Sequence, residues 1–121
     1  MGVYMSSSAT AKYKDRIRQD LIKLAKAGRS ISYGDLAAPY NMDPHYELPA
    51  VLGLICEEDH LRNNQVPMIS CLVGSMLDPK TKHYVPGQGF FKLAETLGKE
   101  NVFDQDTFLK AERARTFNFW K

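Results

Sequence analysis

A chain of 121 residues, 44% hydrophobic and 25% charged, is long enough to bury one core and too short for two, and its composition excludes general disorder. No apolar run approaches the roughly 20 residues of a membrane-spanning helix, and the opening Met1-Gly2-Val3-Tyr4-Met5-Ser6 lacks the basic and apolar regions of a secretion signal. A net charge of +2 is too small to mark a nucleic-acid-binding chain by itself, so the expectation is a cytoplasmic protein with no membrane partner and with Cys56 and Cys71 as free thiols.

Residues 1–9 read as a flexible N-terminal tail, and residues 10–121 as a single domain that starts at Thr10 as a helix N-cap. Tyr13, Ile17, Leu21 and Leu24 then recur at helical spacing, and Gly28 stops the helix. This first helix carries the basic face, with Lys12, Lys14, Arg16, Arg18, Lys23, Lys26 and Arg29 between residues 12 and 29 against only Asp15 and Asp20. Ser32 or Tyr33 starts a short second helix through Gly34-Asp35-Leu36-Ala37-Ala38, halted before Pro39.

Asn41-Met42-Asp43-Pro44 is a start signal for a third helix reaching Asn64, with Leu48, Val51, Leu52, Ile55 and Cys56 on its apolar face. Pro49 either kinks this helix or moves its start to about residue 47, and the later start is preferred. The stretch from Val66 to Met76, on the strength of its apolar run Val66–Val73, predicts a β-strand, the Leu77-Asp78-Pro79-Lys80-Thr81-Lys82 stretch a turn, and His83-Tyr84-Val85 a returning strand, which together make a wing-like antiparallel hairpin. Pro86-Gly87-Gln88-Gly89 is read as a tight turn, Phe90 to Gly98 as a fourth helix, and a last helix starts at Asp106 or Thr107 with Phe108, Ala111, Arg115 and Phe119 on one face. The fold class is therefore α+β, four to five helices with one short hairpin, in the order of a winged helix-turn-helix.

Ile31-Ser32-Tyr33-Gly34-Asp35-Leu36-Ala37, a following helix with Val51-Leu52-Gly53, and Val66-Pro67 resemble the DNA-binding domain of alkylguanine-DNA alkyltransferases and alkyltransferase-like proteins, over roughly residues 30–98. Tyr33-Gly34-Asp35-Leu36, the Pro67–Val73 stretch, Pro86-Gly87-Gln88-Gly89-Phe90-Phe91 and a terminal helix with Glu112, Arg115 and Trp120 also resemble small modules found alone or beside HNH nuclease domains in prokaryotic restriction-type proteins. The resemblance implies a winged-helix fold in a DNA-related setting; function has to be argued from the site. The chain departs from the alkyltransferase pattern at its reactive cysteine: Cys71 stands in Ser70-Cys71-Leu72-Val73, without the Pro-Cys-His-Arg stretch of that family. A thiol with no cationic neighbour keeps a high pKa, so alkyl transfer is not expected and no catalytic residue is named.

In such a fold the start of the third helix reaches base edges, which singles out His45 and Tyr46 beside Glu47 and Ala50. Lys80, Lys82, His83 and Tyr84 of the wing, Tyr33 before the second helix, and Arg16, Arg18 and Arg29 from the first complete the candidate contacts to double-stranded DNA. Cys56 and His60 stand four apart on a helix, but zinc sites need more ligands in close pairs, so neither metal nor cofactor is expected. Pro86-Gly87-Gln88-Gly89 lacks the ending of a phosphate-binding loop. The alternative reading is a protein-interaction module or inhibitor acting on a nuclease complex, docked through the acidic Glu57-Glu58-Asp59 helix end or through Phe117, Phe119 and Trp120; core packing is the expected role of Phe119. The DNA reading requires the helix start and the hairpin to lie side by side on one positive surface.

Overall fold

The stretch from Pro67 to Gly74 is buried at every residue, and the rest of the chain is wrapped around it. The computed structural model describes the backbone of residues 2–121 and the side chains from Lys12 onward. The fold is α+β and mostly helical, with two short strand pairs among the described residues. Its helices are α1 (Gly2–Lys26), α2 (Tyr33–Ala37), α3 (Glu47–Arg62), α4 (Gln88–Thr96) and α5 (Gln105–Trp120). Its strands are β1 (Ile31–Ser32), β2 (Val73–Gly74), β3 (Met76–Leu77) and β4 (Tyr84–Val85). No described helix is long and apolar enough to cross a membrane.

Helix α1 begins at Gly2, upstream of the predicted cap, so Thr10 lies inside it and the tail expected over residues 1–9 is helical from Gly2; Met1 lies outside the described residues. Its apolar stripe of Ile17, Leu21 and Ala25 is buried, and Gly28 ends it at φ +68°, a left-handed conformation that costs glycine little. Ser32 caps α2 by accepting the Asp35 N–H at 3.1 Å. Helix α3 takes the later of the two starts: Tyr46 is its N-cap, and Pro49 falls in the first turn, where a missing N–H costs nothing. Ahead of it Asp43 accepts the His45 N–H, and Glu47 reaches back to the Asp43 N–H, which sets the angle at which the chain enters the helix.

The strand predicted over Val66–Met76 does not form as one element. Ile69–Leu72 makes a 3₁₀ turn, Val73–Gly74 extends as a short strand, and Met76 begins another. The apolar run reported burial on all sides rather than a pleated strand, an ambiguity that short apolar segments carry. Strand β2 pairs in parallel with β1, Ile31 opposite Val73 and Ser32 opposite Gly74. The antiparallel hairpin is present but set later in the chain, β3 against β4 with Met76 opposite Val85 and Leu77 opposite Tyr84. Its turn is fixed by the Asp78 N–H donating to the His83 carbonyl at 2.9 Å and by the Asp78 carboxylate, which accepts the Lys80 N–H.

Two further helix readings shift. The Pro86-Gly87-Gln88-Gly89 turn already contains the start of α4, with Gly87 at its N-cap. Asp104, rather than Asp106 or Thr107, caps α5 by accepting the Thr107 N–H. The buried face of α5 is Phe108, Leu109, Glu112, Arg113 and Thr116, whereas Arg115 and Phe119 of the expected face are exposed, Phe119 at 44%. The expected face was turned because two buried charges stand where apolar residues were sought. Glu112 is 0% exposed and its carboxylate accepts the Met68 N–H at 2.8 Å, which satisfies a donor of the central segment.

Gly74 sits where a β-carbon would meet the Val85 carbonyl oxygen at 2.3 Å. Gly74→Ala is therefore expected to lower the unfolding free energy by about 1–3 kcal/mol, read from urea denaturation. Gly53→Ala, inside α3 with only Glu57 Oε1 at 4.0 Å, is expected to leave stability unchanged or raise it by up to about 1 kcal/mol.

Candidate nucleic-acid interface

The side chains singled out in the sequence separate into three groups. Tyr33 opens α2, and its hydroxyl accepts the Gly87 N–H at 3.0 Å, tying the exit of the hairpin to the start of α2. Across from it stand Pro44, His45 and Pro49 at the beginning of α3, with Phe90 and Leu93 of α4 behind. Ser70 forms part of the floor, its hydroxyl 3.3 Å from the Cys56 sulfur, and Ser75 and Gly87 at the root of the hairpin form the near wall. These residues enclose an open, mainly apolar cleft of about 480 Å³. Tyr46 stands free of the protein at 80% exposure.

The second group lies along the hairpin. Lys80 and Lys82 are exposed at its tip, Lys82 with φ +65°. His83 and Tyr84 are half-buried, because Ser30 Oγ lies 3.2 Å from the His83 Nδ1 and accepts the Tyr84 N–H at 3.0 Å. Arg29, next to Ser30 in the chain, is exposed and lines a hollow between α1 and α2 with Asp20 and Asp35. The His83 ring lies 5.6 Å from Phe117, and burial, then the charge of Arg113, holds the imidazolium below the ordinary histidine value. His83 is thus neutral at neutral pH, a hydrogen-bonding group rather than a cation.

The third group is on α1, and here the structure redirects the sequence reading. Arg16 is exposed, but Arg18 pairs with Asp15 at 2.9 Å, Glu58 at 2.8 Å and Asp59 at 3.4 Å, and Lys14 pairs with Glu58. Glu58 lies about 16 Å along α3 from its first residue, so Arg18 is committed to the far end of that helix and not to the cleft. The same contacts consume the acidic helix end: Glu58 and Asp59 already have partners, and of the three only Glu57 is exposed without an ion pair among the described residues. The hydrogen bonds from Lys14 and Arg18 hold the Glu58 carboxyl below its usual range, whereas burial of Asp59 outweighs Arg18 and leaves that carboxyl raised.

The start of α3 and the root of the hairpin therefore line one cleft, as the DNA reading requires, but the surface they share is not positive: no Lys or Arg lines it among the described residues. Positive charge gathers instead at the hairpin tip and at Arg29. Sequence reasoning missed Ser70, Ser75 and Phe90 as cleft residues. The available signal was Pro86-Gly87-Gln88-Gly89-Phe90-Phe91, where small residues open the wall that α4 presents.

Neither cysteine faces the cleft as a nucleophile. Cys71 is fully buried, 3.3 Å from the Thr116 hydroxyl, and burial pushes its thiol up to about 12. Cys56 is buried and raised by the same cause. Among the described residues no group of three or more His, Cys, Asp or Glu is placed to hold a metal. Of the terminal aromatics, Phe117 and Trp120 are half-buried, and Phe119 rests edge-on against Trp120 at 4.9 Å. Compared with protein-family models, with curated proteins and with solved structures, the chain finds no match in any of the three.

Arg18→Ala leaves Asp59 buried without its cation and is expected to cost about 3 kcal/mol of unfolding free energy, against less than about 0.5 kcal/mol for the exposed Arg16→Ala, both measured by urea denaturation. The Glu58 pair contributes above the unfolded carboxylate value of about 4.3 and is lost as the pH falls through its lower folded value. Asp59, with a raised folded value, moves the opposite way. Glu58→Gln is therefore expected to flatten the acid limb of a stability–pH curve, measured by denaturant midpoints between about pH 7 and 3, by no more than about 1 kcal/mol for so exposed a pair.

Proposed function

We propose that this chain is a non-enzymatic DNA-binding protein of winged-helix type, in which the first turn of α3 and the β3–β4 hairpin engage duplex DNA. The observation that carries the reading is that the start of α3 and the root of the hairpin line one cleft, with Tyr46 exposed next to His45 and with Lys80 and Lys82 exposed at the hairpin tip; the cleft lining itself holds no Lys or Arg, so cationic contacts fall to the hairpin rather than to a surface shared with α3. In this reading the lysines and Arg29 are assigned to phosphates, and His45 and Tyr46 to base edges. A cleft of about 480 Å³ with Tyr33 and Phe90 in its walls and the Ser70 and Ser75 hydroxyls within it also has the size and chemistry to take an unstacked base, by ring contact and hydrogen bonding. Arg18 is left out of this interface because its guanidinium is committed to Glu58 and Asp59.

The reading as a binding protein rather than a thiol enzyme draws support from Cys71, whose burial and raised pKa deny it a thiolate at neutral pH. A protein-docking role for the acidic end of α3 draws less, since two of its three carboxylates are already paired within the chain.

Fluorescence anisotropy with a labelled duplex at low salt tests the proposal. Binding is expected to weaken steeply as salt rises, with Lys80→Ala and Lys82→Ala each reducing the log–log salt slope by about 1. Ser75→Phe, which fills the cleft, is expected to abolish the fluorescence rise of a duplex carrying 2-aminopurine while leaving that slope in place. Absence of duplex binding at low salt overturns the reading.

A further inference from the structure

On the face of the hairpin away from the α3 cleft, a smaller cavity of about 200 Å³ lies between the hairpin, α4 and α5. Arg113 of α5 is part of its wall. This arginine is 6% exposed, its Nε is sealed from solvent without an acceptor, and among the described residues its guanidinium takes part in no ion pair. A buried guanidinium is ordinarily paired, because desolvation costs several kcal/mol unless an acceptor offsets it. The two carboxylates in the same wall are occupied elsewhere: Asp78 accepts the Lys80 N–H at 2.9 Å within the hairpin turn, and Asp106 holds Lys110 at 3.2 Å. Arg113 thus lies in the field of Asp78 and Asp106 but forms an ion pair with neither among the described residues.

We propose that Arg113 forms the floor of a small oxoanion site that takes one phosphate group. The donors that surround the cavity come from three elements: the Arg113 guanidinium and the Lys110 ammonium from α5, the Thr81 hydroxyl from the hairpin, and the Gln88 amide from α4. Donors converging from several directions suit a tetrahedral ion with three or four acceptor oxygens better than a planar carboxylate, which a guanidinium alone can satisfy. Lys110 has three donors, so it can keep its exposed pair with Asp106 while another N–H faces the cavity. Gln88 and Gln105 bond each other reciprocally at the rim, at 3.2 and 2.8 Å, and exchange of that pair frees amide donors for the ion. The volume admits a single phosphate and is below the range of sites for larger ligands. The site is separate from the cleft of the proposed function and stands independently of it. The phosphate belongs either to a nucleic-acid backbone crossing the hairpin or to a free phosphate-bearing ligand.

The test titrates the full chain with inorganic phosphate at constant ionic strength set by chloride, monitoring Tm and the side-chain Nε–H resonance of Arg113. Wild-type Tm is expected to climb by a few degrees with phosphate, and the resonance to shift to saturation. Arg113→Met is expected to fold with a Tm no lower than wild type and to lose both responses; Arg113→Lys is expected to keep a severalfold weaker one. No response beyond that of chloride, or a response that survives in Arg113→Met, overturns the site. A duplex arm separates the sources: loss of about one from the salt slope in Arg113→Met assigns the phosphate to the backbone, and an unchanged slope, with the phosphate response present in wild type, assigns a free ligand. A wild-type chain that answers phosphate but binds no duplex retains this site and loses the DNA reading.

Discussion

The Glu112 carboxylate is the constraint on which the rest of the structure depends. The central segment from Pro67 to Gly74 is irregular and buried, so its amides have no water and little regular pairing to satisfy them. Glu112 comes from the last helix and accepts the Met68 N–H at the entry to that segment, while its other oxygen takes Arg115 and Lys99 stands 3.9 Å away. A fully buried carboxylate is tolerated only with that many partners, and here they come from α5 itself, from the loop before it and from the core backbone. Once Met68 is held, Ile69 and Leu72 pack beneath α1 and α3, and Val73–Gly74 reaches β1.

The position of that segment in turn decides where the cleft lies. Gly74 lies so close to Val85 that no side chain fits between them, and this contact carries the hairpin back against the core. The Tyr33 hydroxyl then fixes Gly87, which starts α4 at the spot where its first turn faces the beginning of α3. Ser70, in the 3₁₀ turn, and Ser75, just beyond β2, become floor and wall. The cleft is thus a by-product of how the chain leaves its core, and the cationic groups lie beyond it because the hairpin, not the helix, carries them outward.

Much of the helical framework was legible in the sequence because caps and stops are local chemistry. Ser32 before Tyr-Gly-Asp, Gly28 after the first apolar stripe and Pro49 near the start of α3 each act within a turn, and each is where local rules put it. The misreadings arose where tertiary contacts decide. Val66–Val73 looked like a strand because its apolar run reports burial, not backbone geometry. The face of α5 was turned because Glu112 and Arg113 are buried charges whose reasons for burial lie in other elements. Arg18 looked like a free surface cation because its partners are distant in sequence, at the end of another helix.

The bond between Glu112 and Met68 also bears on the order in which the chain acquires its structure. The core segment is made well before the helix that satisfies it, and β1 waits for β2 across all of α2 and α3. The Met68 amide gains its native acceptor only when α5 is in place. The native topology thus depends on contacts between residues more than 40 apart, the kind of non-local closure that slows folding.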